Sequence, residues 1–373
     1  MVKLATFASA QRTIMRQTAA ALAAYPANNL TTQTYQALLS GDSQALAQAL
    51  ASLPATKTEK EFEELKEHEK EVALRIEKQK DILRNPEITL IAAVFIDLPV
   101  AKLLMNLPDY NASIHVVKIY HDTIVVVMST DKYSAFRDFL WELGADSVEL
   151  SLVPLLSAGG ALVSDMDSTM VTCECIDQIA SLCGIEEQVA SITEAAMQGK
   201  LDFTQSLRER VALLKGVKVE EFTKIIENLP ITLGADTLLA LLNEREWHSA
   251  LVSGGFIPFA TAVAQALGFK EFFANTLGQD HDALNGVVLN GEVLGEIVDA
   301  NFKEKVVQNY QEQGLTTIAL GDGANDLKML QASDFAVAYH AKPVVNEHAD
   351  FCIKHNDLRA LLCVLEIRAW LEN

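Results

Sequence analysis

Two aspartates separated by a single residue, Asp165 and Asp167, follow the apolar run Ala161-Leu162-Val163 in a chain of 373 residues. Three other runs carry side chains that could act with them. Ser253-Gly254-Gly255 follows the apolar Ala250-Leu251-Val252, Lys303 stands in Ala300-Asn301-Phe302-Lys303, and Gly321-Asp322-Gly323-Ala324-Asn325-Asp326 follows Thr316 to Leu320. Two carboxylates at such a spacing can flank one phosphate, one attacking phosphorus in line while the other handles the leaving-group proton. Phosphoryl transfer asks chiefly for positioning and for neutralisation of the equatorial oxygens, which Ser253, the N–H groups of Gly254 and Gly255, and Lys303 can supply. Asp165, the carbonyl of Asp167 and Asp322 offer the hard oxygen ligands of a divalent cation. Without one, Asp165, Asp322 and Asp326 would repel each other and the phosphate.

These residues need strands to present them. From about Ala158 the chain alternates β-rich runs with helical ones, as an α/β domain with a parallel sheet does. Ligands of such sheets gather outside the carboxyl ends of the strands, where the strand order reverses. A Rossmann-like domain over 156–373 is therefore expected. Upstream, residues 86–155 read as β-α-β-β-α-β: strands over Ile88 to Ile96, Ser113 to Tyr120, Thr123 to Ser129 and Val148 to Val153, with helices between. That order is ferredoxin-like and resembles amino-acid-binding modules of the ACT type, although order alone establishes no ligand. Residues 1–85 read as a helical N-terminal segment, with an amphipathic stretch from Lys57 to Arg84 suited to lying on its own domain or to forming an arm. Homo-oligomerisation is expected through this region. Asn285-Gly286 and Asn290-Gly291 lie between β-rich residues and suggest a hairpin flap.

Composition narrows the partners. A net charge of −20 repels nucleic acid and anionic membranes. Five cysteines, few and odd in number, suit packing thiols in a reducing cytosol better than a disulfide framework or a zinc site. No run is long and apolar enough to cross a bilayer, and Gln11, Arg12, Arg16 and Gln17 interrupt the Ala-rich start, so a cytoplasmic chain acting on a small molecule is expected. His340 reads as a loop histidine with a structural hydrogen bond.

Taken together and in order, D-x-D-S-T, S-G-G, a lone Lys and G-D-G-A-N-D resemble the haloacid-dehalogenase superfamily, specifically its phosphoserine phosphatases. The resemblance extends from about Ala161 to Leu362. It includes Glu174-Cys175-Ile176-Asp177, the run from Glu194 to Phe203, and Ser206-Leu207-Arg208-Glu209-Arg210, which are similar to the family's helical cap and imply a cap inserted at about 170–234. It implies Mg2+-dependent hydrolysis of O-phospho-L-serine, the last step of serine biosynthesis, with Asp165 as nucleophile and Asp167 as acid and then base. It further implies Glu174 on the substrate ammonium, Arg210 on its carboxylate, Met197 and Phe203 shaping the pocket, Asn325 holding the site, and Asp326 as an outer-shell partner of the metal. From spacing alone, Glu174 is a helix-start acid favoured by the helix dipole and Arg210 part of a charged face. Two other readings stand beside this one: action on another small phosphorylated hydroxy compound such as phosphohomoserine, and a catalytically inactive amino-acid sensor.

Overall fold

The computed structural model describes residues 88–372 apart from 97, 121, 199 and 285. The helical segment expected over 1–85, and the oligomer contact expected from it, lie outside the described residues. The chain divides into two compact units, one reaching to Val153 and including Glu366–Asn373, the other Pro154–Leu365.

In the first unit, the described chain runs β1 (Leu90–Phe95), α1 (Val100–Asn106), β2 (Ser113–Tyr120), β3 (Thr123–Ser129), α2 (Tyr133–Glu142) and β4 (Ala145–Glu149). The strands form one sheet in the order β2-β3-β1-β4, with antiparallel pairing at each junction. One face of β1 and β3 (Ile91, Ala93, Phe95; Ile124, Val126, Met128) packs on Leu103 of α1 and on Phe136, Phe139 and Leu140 of α2. Alternation with period two makes that face. Asp122 turns the β2–β3 hairpin at φ +63°, a left-handed conformation that Asp tolerates better than most residues. The last strand differs from expectation. It covers Ala145–Glu149 instead of Val148 to Val153, because Ala145 to Glu149 pair with Phe95 to Ile91. The polar Asp146 and Ser147 conceal it in the sequence.

The second unit begins with β5 (Gly160–Ser164), continues through α3 (Cys175–Cys183), α4 (Glu186–Met197), α5 (Phe203–Ala212), α6 (Phe222–Ile226) and α7 (Ala235–Glu244), and returns to the sheet at β6 (His248–Phe256). It goes on through α8 (Ile257–Leu267), β7 (Glu271–Asp282), β8 (Gly286–Leu294), α9 (Ala300–Glu312), β9 (Thr316–Gly321), α10 (Leu327–Ala332), β10 (Phe335–Tyr339), α11 (Pro343–Asn346), β11 (Phe351–Ile353) and α12 (Arg359–Glu372), which from Glu366 onward belongs to the first unit. The sheet order is β11-β10-β9-β5-β6-β7-β8. Every pair is parallel except the β7–β8 hairpin. All five residues of β5 and all of β10 are buried, as strands covered on both faces must be. Strand order reverses at β5: the chain builds outward to β8, then returns to place β9 on the other side. The hairpin expected within 275–299 is present, but Asn290-Gly291 lies inside β8, at a register shift opposite Gly278, and makes no turn. Among the described residues no helix is long and apolar enough to cross a membrane.

β5 is seated by one close contact. Trp247 is fully buried, its Nε1 donates to the Leu156 carbonyl at 3.0 Å, and its ring lies under Gly160. A Cβ at position 160 would come within 2.4 Å of the Thr316 carbonyl oxygen and 2.6 Å of that ring. Gly160→Ala is expected to destabilise the protein by about 1–3 kcal/mol through overpacking, read as a lower urea midpoint. An unchanged midpoint would contradict this close packing.

Candidate active site

The carboxyl ends of β5, β6 and β9 meet at the reversal of strand order, and each delivers polar groups there. Ser164 of β5 is level with Leu320 of β9, and the Asp165 N–H continues the ladder by donating to the Leu320 carbonyl at 2.9 Å. Asp165 is thereby fixed beside Gly321 and Asp322. Lys303 enters from α9. Asp299 caps this helix, its Oδ1 accepting from the N–H groups of Asn301 and Phe302 at 2.9 Å each, which sets Lys303 in the first turn. The Lys303 side chain is 1 % exposed, and its Nζ donates to Asp165 Oδ1 and Asp326 Oδ1, both at 2.7 Å.

One ammonium faces three carboxylates. Burial works against the charge of Lys303, but Asp165 and Asp326 outweigh it and push its pKa up. Burial, and then the charge of Asp326, hold the Asp165 carboxyl well above its usual range despite Lys303. Asp322 is pushed up to about 6 by desolvation and by Asp326. Asp165, Asp322 and Asp326 each offer an oxygen within 4.8 Å of the others. An all-oxygen cluster with surplus negative charge fits a hard divalent cation. Asp326 is wholly buried. Its Oδ2 accepts from the N–H groups of Asp322 (3.2 Å) and Gly323 (3.0 Å), so both its oxygens are engaged within the protein. Gly321 makes room for it: a Cβ there would lie 2.6 Å from Asp326 Cγ. Asn325 Nδ2 stands 3.5 Å from Asp326 Oδ1.

Asp167 is held from two sides. Its Oδ1 accepts from the Cys175 N–H at 2.9 Å, at the start of α3. Its Oδ2 lies 3.4 Å from Ser253 Oγ, which itself accepts from the Gly255 N–H at 2.8 Å. Burial raises the Asp167 pKa, with the Cys175 contacts opposing. Ser253-Gly254-Gly255 runs on as the end of β6 to Phe256. Phe203 lies against this segment, its Cζ 3.0 Å from where a Cβ on Gly254 would be.

Glu174 precedes α3 and accepts from Ser168 Oγ at 2.8 Å. It remains open to solvent in a crowded cleft, and the partial loss of hydration together with the Asp167 charge pushes its pKa up to about 7. Arg210, in α5, is half-buried. Burial lowers its pKa, and Glu174, Asp177 and Asp167 are near enough to oppose that. Asp165, Asp167, Ser253, Gly254, Lys303, Asp322, Asn325 and Asp326 thus come together, with Phe203, Glu174 and Arg210 around them. Met197 ends α4, and its side chain lies outside the described residues. His340 Nε2 bonds the Asn356 carbonyl at 2.9 Å, as a structural loop histidine does.

Comparison with known proteins agrees with this geometry. The model of the haloacid dehalogenase-like hydrolases matches residues 160–334. A phosphoserine phosphatase of Haemophilus influenzae is 37% identical over 287 residues, covering 76% of this chain and 90% of that one. The chain belongs to the phosphoserine phosphatase family of the haloacid dehalogenase-like hydrolases. Among solved structures of this family, the unliganded probable phosphoserine phosphatase from Vibrio cholerae superposes with a TM-score of 0.67 at 33% identity, over 76% of this chain and 88% of that one. A phospho-aspartyl intermediate analogue of a phosphoserine phosphatase superposes at 0.50 and 39% identity, over 55% of this chain and 98% of that one.

Three contributors escaped the sequence reading. The Cys175 backbone N–H on Asp167 leaves no trace in residue type. Ser168, inside the D-x-D-S-T run, adopts φ +56°. Asn275, fully buried at the end of Phe272-Phe273-Ala274, donates to the Gly254 carbonyl at 2.8 Å and accepts from the Val298 N–H at 2.9 Å. An Asn inside a β-rich run was the available signal.

Lys303→Met leaves Asp165 and Asp326 buried without their counter-charge. The expected loss is about 3–5 kcal/mol near pH 8. Carboxylates with raised pKa favour the folded state at low pH and lose that stability as pH rises, so the deficit should shrink toward about pH 5. Urea unfolding at both pH values checks this; a deficit independent of pH would contradict the charge account.

Proposed function

We propose that this protein is a Mg2+-dependent phosphatase that hydrolyses O-phospho-L-serine to L-serine and phosphate through an aspartyl-phosphate on Asp165. The observation that carries the reading is the Asp165 carboxylate, with Oδ1 held by Lys303 and Asp322 and Asp326 beside it. Its other oxygen is left to attack phosphorus in line as the bond to the serine oxygen breaks. Asp167, whose pKa is raised by burial, supplies the proton to that oxygen; as a carboxylate it then takes a proton from the water that attacks the aspartyl-phosphate. Ser253, the Gly254 N–H, Lys303 and Asn325 neutralise and orient the phosphoryl oxygens. Asp165, the Asp167 carbonyl and Asp322 would hold Mg2+, with Asp326 behind them. When bound, the ion offsets the surplus negative charge and polarises the phosphoryl group.

The substrate follows from the helical stretch between β5 and β6, which we read as a cap over about 170–234. Glu174 meets the ammonium, Arg210 the carboxylate, and Phe203 forms an apolar wall. Closure of this cap excludes water until Asp167 activates one. The relatives described as phosphoserine phosphatases support this substrate. An inactive amino-acid sensor is disfavoured by the intact Asp165, Asp167, Lys303 and Asp322. The unit ending at Val153 we read as a ferredoxin-like, ACT-like domain, supported by its β-α-β-β-α-β order and its β2-β3-β1-β4 sheet.

Two outcomes are expected. With magnesium, O-phospho-L-serine should be hydrolysed in preference to phosphohomoserine and other phosphoamino acids, and Asp165→Asn should lose at least about 10³-fold in kcat. Absence of that preference would refute the substrate, and full activity in Asp165→Asn the mechanism. Second, kcat/KM should rise with pH through about 7 as Glu174 ionises to bind the ammonium. Glu174→Gln should lose roughly 10–100-fold in kcat/KM and lack that limb; an unaltered limb would assign it to another group.

A further inference from the structure

Ser168 adopts φ +56°, a left-handed conformation that glycine reaches freely and a side chain adopts only at an energetic cost. Strain of this kind persists where the surroundings over-determine it, and an observed outlier is a reason to ask what its side chain does. Here the answer is visible. The Ser168 N–H donates to the Cys173 carbonyl at 3.2 Å, closing a tight loop over the residues up to Glu174. The Ser168 Oγ then donates to Glu174 Oε1 at 2.8 Å. A charge-assisted hydrogen bond of this length is stronger and more directional than a neutral one.

Glu174 otherwise has little to fix it. It stands before the first turn of α3, makes no cap bond to that helix, and is open to solvent. The charges around it are Asp167, Asp322 and Asp177, which repel it, and Arg210, which attracts it. A flexible carboxylate among like charges would swing outward. The hydroxyl of Ser168 is the contact that keeps one of its oxygens turned toward the end of β5, where Asp165 and Asp167 stand.

We propose that Ser168 is a specificity-determining positioning residue: its strained backbone and its Oγ donor aim the Glu174 carboxylate at the ammonium of an amino-acid phosphomonoester. Ser168 itself touches no reacting atom. The left-handed turn brings the hydroxyl within reach of Glu174, and the bond leaves the second carboxylate oxygen, Oε2, for the substrate cation. This rests on the reading of Glu174 as the ammonium site.

The test compares O-phospho-L-serine with its amine-free analogue, 3-phosphooxypropanoate, in wild type, Ser168→Ala and Ser168→Gly, with magnesium present. Both variants lose the hydroxyl, but only glycine relieves the backbone. KM for phosphoserine should rise about 10- to 100-fold in both variants, the worth of one hydrogen bond to a charged group. KM for the amine-free ester should move less than about twofold, as expected when only a contact to the ammonium is lost. Ser168→Gly should unfold at or above the wild-type temperature, which separates aiming from folding. Equal losses on both esters, or a discrimination that survives in Ser168→Ala, would overturn the inference alone. A wild type that does not distinguish the two esters would instead overturn the Glu174 reading.

Discussion

The site is organised around one buried ammonium. Lys303 Nζ lies 2.7 Å from both Asp165 and Asp326, and in the absence of water such charges persist only when paired and hydrogen-bonded. Much of the surrounding architecture serves that pairing. The Asp299 cap sets Lys303 in the first turn of α9, the β5–β9 ladder brings Asp165 level with Gly321, and the missing Cβ of Gly321 admits Asp326. The pairing is also incomplete by design of the charges: one cation against three carboxylates leaves a deficit that a divalent ion and a correctly placed phosphoryl group can resolve together.

Asp167 stands where two parts of the domain meet. Strand β6 reaches it through Ser253, and the start of α3 reaches it through the Cys175 N–H. One residue earlier than Cys175 is Glu174, bonded back to Ser168, which directly follows Asp167. Asp167 and Glu174, the general acid and the ammonium site of our proposal, therefore share one short loop, from Asp167 to Cys175. In the proposed mechanism, any movement of α3 would alter both at once, since Cys175 begins that helix.

How much of this the sequence discloses depends on whether contacts are local. The runs around Asp165, Ser253 and Asp322 were legible because parallel strands demand apolar runs and the polar residues follow those runs directly, whereas Lys303 comes from the first turn of a helix. The first-unit hairpin was legible as two β-rich runs, and the start of the last strand was not, since Asp146 and Ser147 carry no strand signature and join β4 only because β1 pairs with them. Asn290-Gly291 reads as a turn but forms a bulge, a choice made by the partner strand. The resemblance supplied Glu174 and Arg210, which spacing alone left as a helix-start acid and a surface cation. Ser168 and Asn275 act through contacts that only folding creates, and a φ of +56° has no mark in the letter S.

The central claim is that Asp165 becomes covalently phosphorylated. The most direct measurement is mass spectrometry of protein acid-quenched during turnover of O-phospho-L-serine with magnesium. The account predicts one added phosphoryl group, confined to the peptide containing Asp165 and absent from Asp165→Asn. Phosphate release with no such adduct, or an adduct on another residue, would contradict it.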